Sequence, residues 1–133
     1  LEPKALINID HLGPVADTIV PGDRIILKTG WSKYVDNPLT YRDGLPRISE
    51  ALARWMVEKQ VGFIGVEPPS IADVNNLPEV TLIHEILLTA EIVIAEGLCN
   101  LDQLSQDIVE LVALPLKPEG GDGCPARIIA IER

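Results

Sequence analysis

The sequence predicts an α/β fold, and three observations carry that expectation. Between residues 24 and 95 apolar strands alternate with helical periodicity in the order strand, helix, strand, helix, strand, which implies a sheet that is at least partly parallel. The strand segments, Val61-Gly-Phe-Ile-Gly-Val66 above all, run apolar without polar alternation, as strands buried on both faces do. Finally, 47% of the 133 residues are hydrophobic, rich in Ile, Leu, Val and Ala, with two Trp, two Tyr and one Phe, which is a globular rather than a disordered composition. A chain of this length is one domain's worth and buries a core without needing disulfides or metal.

Taken in order, residues 4–10 read as a first strand closed by His11-Leu-Gly-Pro. Pro21-Gly22-Asp23 is a turn, and residues 24–29 form a buried strand that ends at Gly30-Trp31. Residues 32–46 are polar and punctuated by Pro38, Gly44 and Pro46; they are predicted as a long loop, a kind of connection that is often functional. The clearest helix is 48–59, with Ile48, Leu52, Trp55 and Met56 at helical spacing and Glu50, Arg54 and Glu58 on the other face. The strand at 61–66 stops sharply at Glu67-Pro68-Pro69-Ser70. A second helix is predicted over 81–90, a short buried strand over 92–95, and two last strands over 109–116 and 126–131. Residues 119–125 join these two as the wide loop of a hairpin.

Net charge is −9, from 11 basic against 20 acidic residues, and no basic run appears, so neither nucleic acid nor an anionic membrane surface is expected as a partner. Cys99 and Cys124 are neither closely paired nor clustered as zinc ligands, and are expected as free thiols in a reducing compartment. No stretch approaches the ~18 consecutive apolar residues of a membrane span. The opening Leu-Glu-Pro-Lys does not read as a signal peptide. A cytoplasmic protein is the expectation.

His84 and Glu96 are the residues that speak most to chemistry. His84 lies in the second predicted helix beside Ile83 and Leu87-Leu88, either as a hydrogen-bonded histidine or as a metal ligand. Position 88 is Leu, so the second histidine of a zincin helix is missing. Glu96 follows four apolar residues, which delivers a charged side chain to the carboxyl end of a buried strand. Ligands gather there in open α/β sheets, although a solvated strand end is the alternative. Two ligands do not make a catalytic metal site, which takes at least three from protein, so the pair reads as part of an active site. Trp31, Tyr34 and Tyr41 flank the long loop and either line a substrate pocket or pack on the sheet. Gly120-Gly121-Asp122-Gly123 lacks the spacing and following helix of a phosphate loop and reads as a turn. Ser70 has no nucleophile elbow around it. Neither cysteine has a base nearby in sequence to activate it, and His11 reads as a solvent-facing turn residue.

Together these residues resemble the Putative cyclase family of metal-dependent hydrolases, which includes kynurenine formamidase and isatin hydrolase. Pro21-Gly22-Asp23 through Lys28-Thr29-Gly30-Trp31 resembles the family's G-D-x-V-L-x-x-T-G-W strand. Gly65 to Ser70 resembles its G-I-D-x-P-S turn, with Glu67 and Pro68 as departures. His84 and Glu96 fall at its H-x(11)-E spacing, followed by Leu98, Asn100 and Leu101 of an E-x-L-x-N-L pattern. Leu114-Pro115-Leu116 and then Asp122 to Arg127 resemble its terminal signature. The family's N-terminal H-G-T-H-x-D-x-P-x-H segment has no counterpart here.

The resemblance implies that residues 1–133 are the C-terminal part of a single cyclase-family domain. That domain is of swivelling β/β/α type, a mixed sheet with flanking helices, here lacking its N-terminal strands. It also implies a divalent metal, zinc or manganese, with His84 and Glu96 as two of its ligands. The other ligands and the catalytic acid–base group are then expected in the absent segment. The substrate implied is a small amide, lactam or related cyclic carbonyl compound, with Trp31 and Tyr34 as candidate contacts. A homo-oligomer or a companion N-terminal fragment is expected as partner, since missing strands leave sheet edges open. The competing expectation is a non-catalytic α/β binding or oligomerisation module that keeps the fold without a complete metal site.

Overall fold

The structure, a computed structural model, describes residues 1–133. These form two compact units, residues 1–101 and 102–133. The centre of the first unit is a sheet of three parallel strands in the order β2 (Arg24–Leu27), β4 (Phe63–Val66), β5 (Val93–Ala95). The register runs from Arg24↔Phe63 to Leu27↔Val66 and from Phe63↔Val93 to Gly65↔Ala95. All four residues of β4 are buried, as its unbroken apolar run requires of a central strand. A second, parallel pair joins β1 (Leu6–Ile7) to β3 (Arg47–Ile48).

Two helices cover the sheet. In α2 (Glu50–Glu58), Ser49 caps the N-terminus by accepting the Leu52 N–H at 3.1 Å, and Leu52, Ala53 and Met56 face inward, all fully buried. In α3 (Leu77–Thr89), Ile83 and Leu87 face the same core, beside Ile25, Leu27, Ile64 and Val66 from the sheet. Burial of this kind contributes roughly 1.5–3 kcal/mol for each such side chain.

Several boundaries differ from the expectation, each for a local reason. The predicted strand at 4–10 shortens to β1, because the chain turns at once into 3-10 geometry over Ile9–Asp17. His11 is exposed as expected, and its Nδ1 accepts the Asn8 N–H at 3.0 Å. The predicted loop 32–46 holds a 3-10 turn, Trp31–Tyr34, and a short helix α1 (Pro38–Asp43). The Asn37-Pro38 pair starts that helix: the Asn37 side chain accepts the Thr40 N–H at 3.2 Å, and proline tolerates the first helical position. Helix α3 begins at Leu77 rather than 81 for the same reason. Asn76 accepts the Glu79 N–H at 3.3 Å, Pro78 sits in the first turn, and Asn76 Nδ2 donates to Glu79 Oε2 at 3.4 Å. Glu79 also pairs with Arg47 at 2.8 Å and so ties α3 to β3.

The second unit is an antiparallel hairpin of β6 (Glu110–Pro115) and β7 (Ala126–Ile131), in register from Glu110↔Ile131 to Pro115↔Ala126. Its base is closed by the Glu132 carboxylate, which accepts the Ser105 and Gln106 N–H groups at 2.6 and 2.8 Å. The glycine-rich segment is the hairpin's turn, as expected. No helix is long and apolar enough to cross a membrane.

Candidate metal-ligand pair at the carboxyl ends of the parallel strands

Parallel pairing brings three chain ends to one edge of the sheet: Thr29-Gly30 beyond β2, Glu67 directly after β4, and Glu96 directly after β5. His84 reaches the last of these from the middle of α3. Its Nε2 lies 3.5 Å from Glu96 Oε1, and the two side chains keep 29% and 30% of their surface exposed. The pairing expected from sequence is therefore realised in space.

The imidazole is oriented by its other nitrogen. His84 Nδ1 lies 2.8 Å from the Val80 carbonyl oxygen, one turn back in α3. A carbonyl only accepts, so Nδ1 carries the proton, and Nε2 faces the Glu96 carboxylate. Two lone-pair groups turned on each other at 3.5 Å, long for a hydrogen bond, call for a proton or a cation between them. The Glu96 carboxylate favours the protonated ring, raising the His84 pKa against the opposing effect of burial, with the Val80 carbonyl adding to the rise.

The donor set also fits a metal ion. Nitrogen and oxygen ligands of one tetrahedral ion, each about 2.1 Å from it, stand roughly 3.4 Å apart. Glu96 is held independently, since its Oε1 accepts the Ile71 N–H at 2.8 Å. No third His, Cys, Asp or Glu joins the pair: no group of three such residues gathers anywhere in the chain.

Gly97 lets the chain leave Glu96 in the required direction. Its φ is +71°, and its N–H donates to the Pro68 carbonyl at 2.9 Å. An added Cβ would meet only the Tyr41 hydroxyl at 3.8 Å, an ordinary contact. Gly97→Ala is therefore expected to lose about 1–2 kcal/mol through backbone strain rather than a clash, measured by urea denaturation.

The residue that sequence reasoning passed over is Glu67. It is 1% exposed, yet fully paired. Its Oε2 accepts the Thr29 N–H at 2.6 Å, the Thr29 hydroxyl at 2.8 Å and the Gly30 N–H at 2.5 Å, while Oε1 accepts the Ser32 hydroxyl at 2.7 Å. Gly30, at φ +71°, gives the turn that points these donors inward. Burial pushes the carboxyl pKa up, but the bonds from Ser32, Thr29 and Gly30 outweigh it and hold the group below its ordinary value of 4.5. The stabilisation is fully present above that ordinary value and is lost as pH falls through the lower folded-state value. Accordingly, the stability gap between wild type and Glu67→Gln is expected to narrow as pH is lowered below 4.5, followed by urea unfolding at stepped pH. The signal for Glu67 was present: a carboxylate delivered by an apolar run, as for Glu96.

The aromatic candidates separate. Trp31 is fully buried, with its ring centroid 4.6 Å from that of Tyr34 and its indole N–H donated to the Tyr41 carbonyl at 2.9 Å. The expectation of substrate contact from Trp31 thus gives way to packing, because no ring surface is left to touch. Tyr34 is partly exposed. Tyr41 donates its hydroxyl to the Glu67 carbonyl at 2.6 Å, and burial first, then the negative groups around it, raise its pKa. Ser70 is buried and accepts the Ala72 N–H at 3.2 Å, a turn role. Both cysteines are free thiols, as expected.

The profile of the family described as Putative cyclase matches residues 2–73. Kynurenine formamidase of Bordetella petrii is 28% identical, with 96% of this chain and 57% of that protein aligned. Kynurenine formamidase of Salinibacter ruber is 30% identical over 92% of this chain and 55% of its own length. Among solved structures, isatin hydrolase A from Ralstonia solanacearum superposes with a TM-score of 0.82 at 27% identity, covering 96% of this chain and 53% of that one. The "predicted metal-dependent hydrolase" from Bacillus stearothermophilus superposes with a TM-score of 0.67 at 25% identity, over 98% of this chain and 63% of that one. The chain spans about half the length of the curated relatives it matches.

Proposed function

The chain belongs to the Putative cyclase family, and from that premise we propose that it is a portion of a metal-dependent hydrolase that cleaves a C–N bond in a small amide, lactam or related cyclic carbonyl compound. The observation that carries this reading is the His84–Glu96 pair, 3.5 Å apart at the carboxyl ends of parallel strands. The likeness to kynurenine formamidases and to isatin hydrolase A supports the substrate class.

In this reading His84 Nε2 and Glu96 hold a divalent ion, zinc or manganese. When bound, the ion supplies polarisation of the substrate carbonyl and lowers the pKa of a water toward ~7. The chain's own residues set that chemistry up. Val80 fixes the imidazole tautomer and Ile71 fixes the carboxylate, so neither ligand must reorganise. Tyr34, partly exposed, stays the candidate substrate contact in this reading.

Residues 1–133 are the C-terminal part of one cyclase-family domain in this proposal, and a companion polypeptide or segment supplies the missing ligands and the acid–base group. The surface around His84 supports it. Leu77 and Leu88 share the helical spacing of His84 on α3, and they are 73% and 54% exposed. Exposed leucines flanking a ligand suit a face covered by further chain. Alone, the 133-residue chain should bind metal weakly and hydrolyse little.

Intact-mass spectrometry with metal analysis of the purified protein tests the proposal. The expected result is a longer chain or a second polypeptide carrying an H-x-x-x-H-x-D segment, with near-stoichiometric zinc or manganese. A single metal-free species of this chain's mass, folded and inactive, would favour the non-catalytic α/β module instead.

A further inference from the structure

We propose that Glu67 is a positioning residue for Glu96, acting through the turn that follows β4; this rests on the reading of Glu96 as a metal ligand. The connection can be followed bond by bond. Residues 66–71 hold the Glu96 segment at three points: the Val66 carbonyl accepts the Leu98 N–H at 3.0 Å, the Pro68 carbonyl accepts the Gly97 N–H at 2.9 Å, and the Ile71 N–H donates to Glu96 Oε1 at 2.8 Å. Glu96 therefore takes both its backbone course and its carboxylate orientation from this turn.

The turn is in its own right fastened from the opposite side, and Glu67 is the fastener. Its carboxylate gathers Thr29, Gly30 and Ser32 from the end of β2, while its peptide carbonyl accepts the Tyr41 hydroxyl at 2.6 Å. Pro68 and Pro69 follow immediately, and their fixed φ makes the turn a stiff link rather than a slack one. A displacement at Glu67 is thus carried to Ile71 and from there to Glu96. The Thr29–Ser32 turn also gains a role beyond closing β2, since it supplies the donors against which the carboxylate is held. Positioning groups of this kind typically change metal affinity about 10–100-fold without touching the ion.

Amide hydrogen exchange and zinc titration on the 133-residue chain test the proposal, using wild type, Glu67→Gln and Ser32→Ala. Ser32→Ala removes a single bond and keeps the test alive should Glu67→Gln fail to fold. The expected result is exchange at least about tenfold faster at the Ile71 and Gly97 amides, with little change at Ala53 in α2, together with zinc binding weakened about tenfold in the folded protein. Protection lost uniformly, or not lost, would overturn the inference, as would selective loss with zinc affinity unchanged. If wild type shows no His84-dependent zinc binding, the metal reading itself falls; the exchange at Ile71 then still decides whether Glu67 holds Glu96.

Discussion

His84→Ala and Glu96→Ala are each expected to weaken zinc or manganese binding by on the order of 100-fold or more while leaving the fold intact. On the proposed reading either change removes one of the chain's two metal ligands, and no third His, Cys, Asp or Glu stands by to replace it. Both side chains keep about 30% of their surface exposed, so truncation opens no cavity in the core. Competition against a chromophoric chelator reads the affinity, and circular dichroism reads the fold. The double variant should bind no more weakly than the worse single, because a lone remaining ligand retains little hold on the ion. Loss of the fold in His84→Ala, in place of loss of metal, would mean that the Val80 and Glu96 contacts are structural.

Trp31→Ala is expected to cost about 3–5 kcal/mol of stability. The side chain is fully buried, packs on Tyr34 with ring centroids 4.6 Å apart, and donates its indole N–H to the Tyr41 carbonyl at 2.9 Å. The loss combines a large cavity with an orphaned carbonyl, and both fall on the segment that joins the Glu67 anchor to α1. Trp31→Phe refills most of the volume but not the hydrogen bond, and should cost roughly 1–2 kcal/mol. Equilibrium urea denaturation with a Trp55 fluorescence readout measures both. A cost under about 1 kcal/mol for Trp31→Ala would contradict the packing role of Trp31.

What was legible in the sequence was mostly what burial dictates. The unbroken apolar run before Glu67 marked β4 as a strand buried in the sheet, and the alternation with helices gave the parallel pairing of β2, β4 and β5. The run before Glu96 marked a strand but not its burial: β5 lies at the sheet's edge, with Val93 56% exposed. The spacing of Leu52 and Met56 marked α2. Boundaries were less legible because they depend on single polar side chains. Asn37 and Asn76, each followed by proline within two residues, start α1 and α3 by capping bonds that hydrophobic periodicity does not see. His84 and Glu96 could be named from their spacing, but their mutual approach depends on backbone groups, the Val80 carbonyl and the Ile71 N–H, that carry no sequence signature. Trp31 stays open between pocket and packing in the sequence for a related reason: an aromatic beside a loop looks the same whether it lines a pocket or closes one. Glu67 was noticed only as a departure from a motif, although the logic that singled out Glu96 applied equally to it.

The central claim is that His84 and Glu96 are part of a metal centre completed by further chain. Its most direct test is a zinc titration of the 133-residue chain alone and again after mixing with a separately produced polypeptide bearing the family's H-x-x-x-H-x-D segment. Weak binding alone, rising to tight one-site binding on mixing and abolished by His84→Ala, is the predicted result. Binding that is equally weak in both cases, or that ignores His84→Ala, would contradict it.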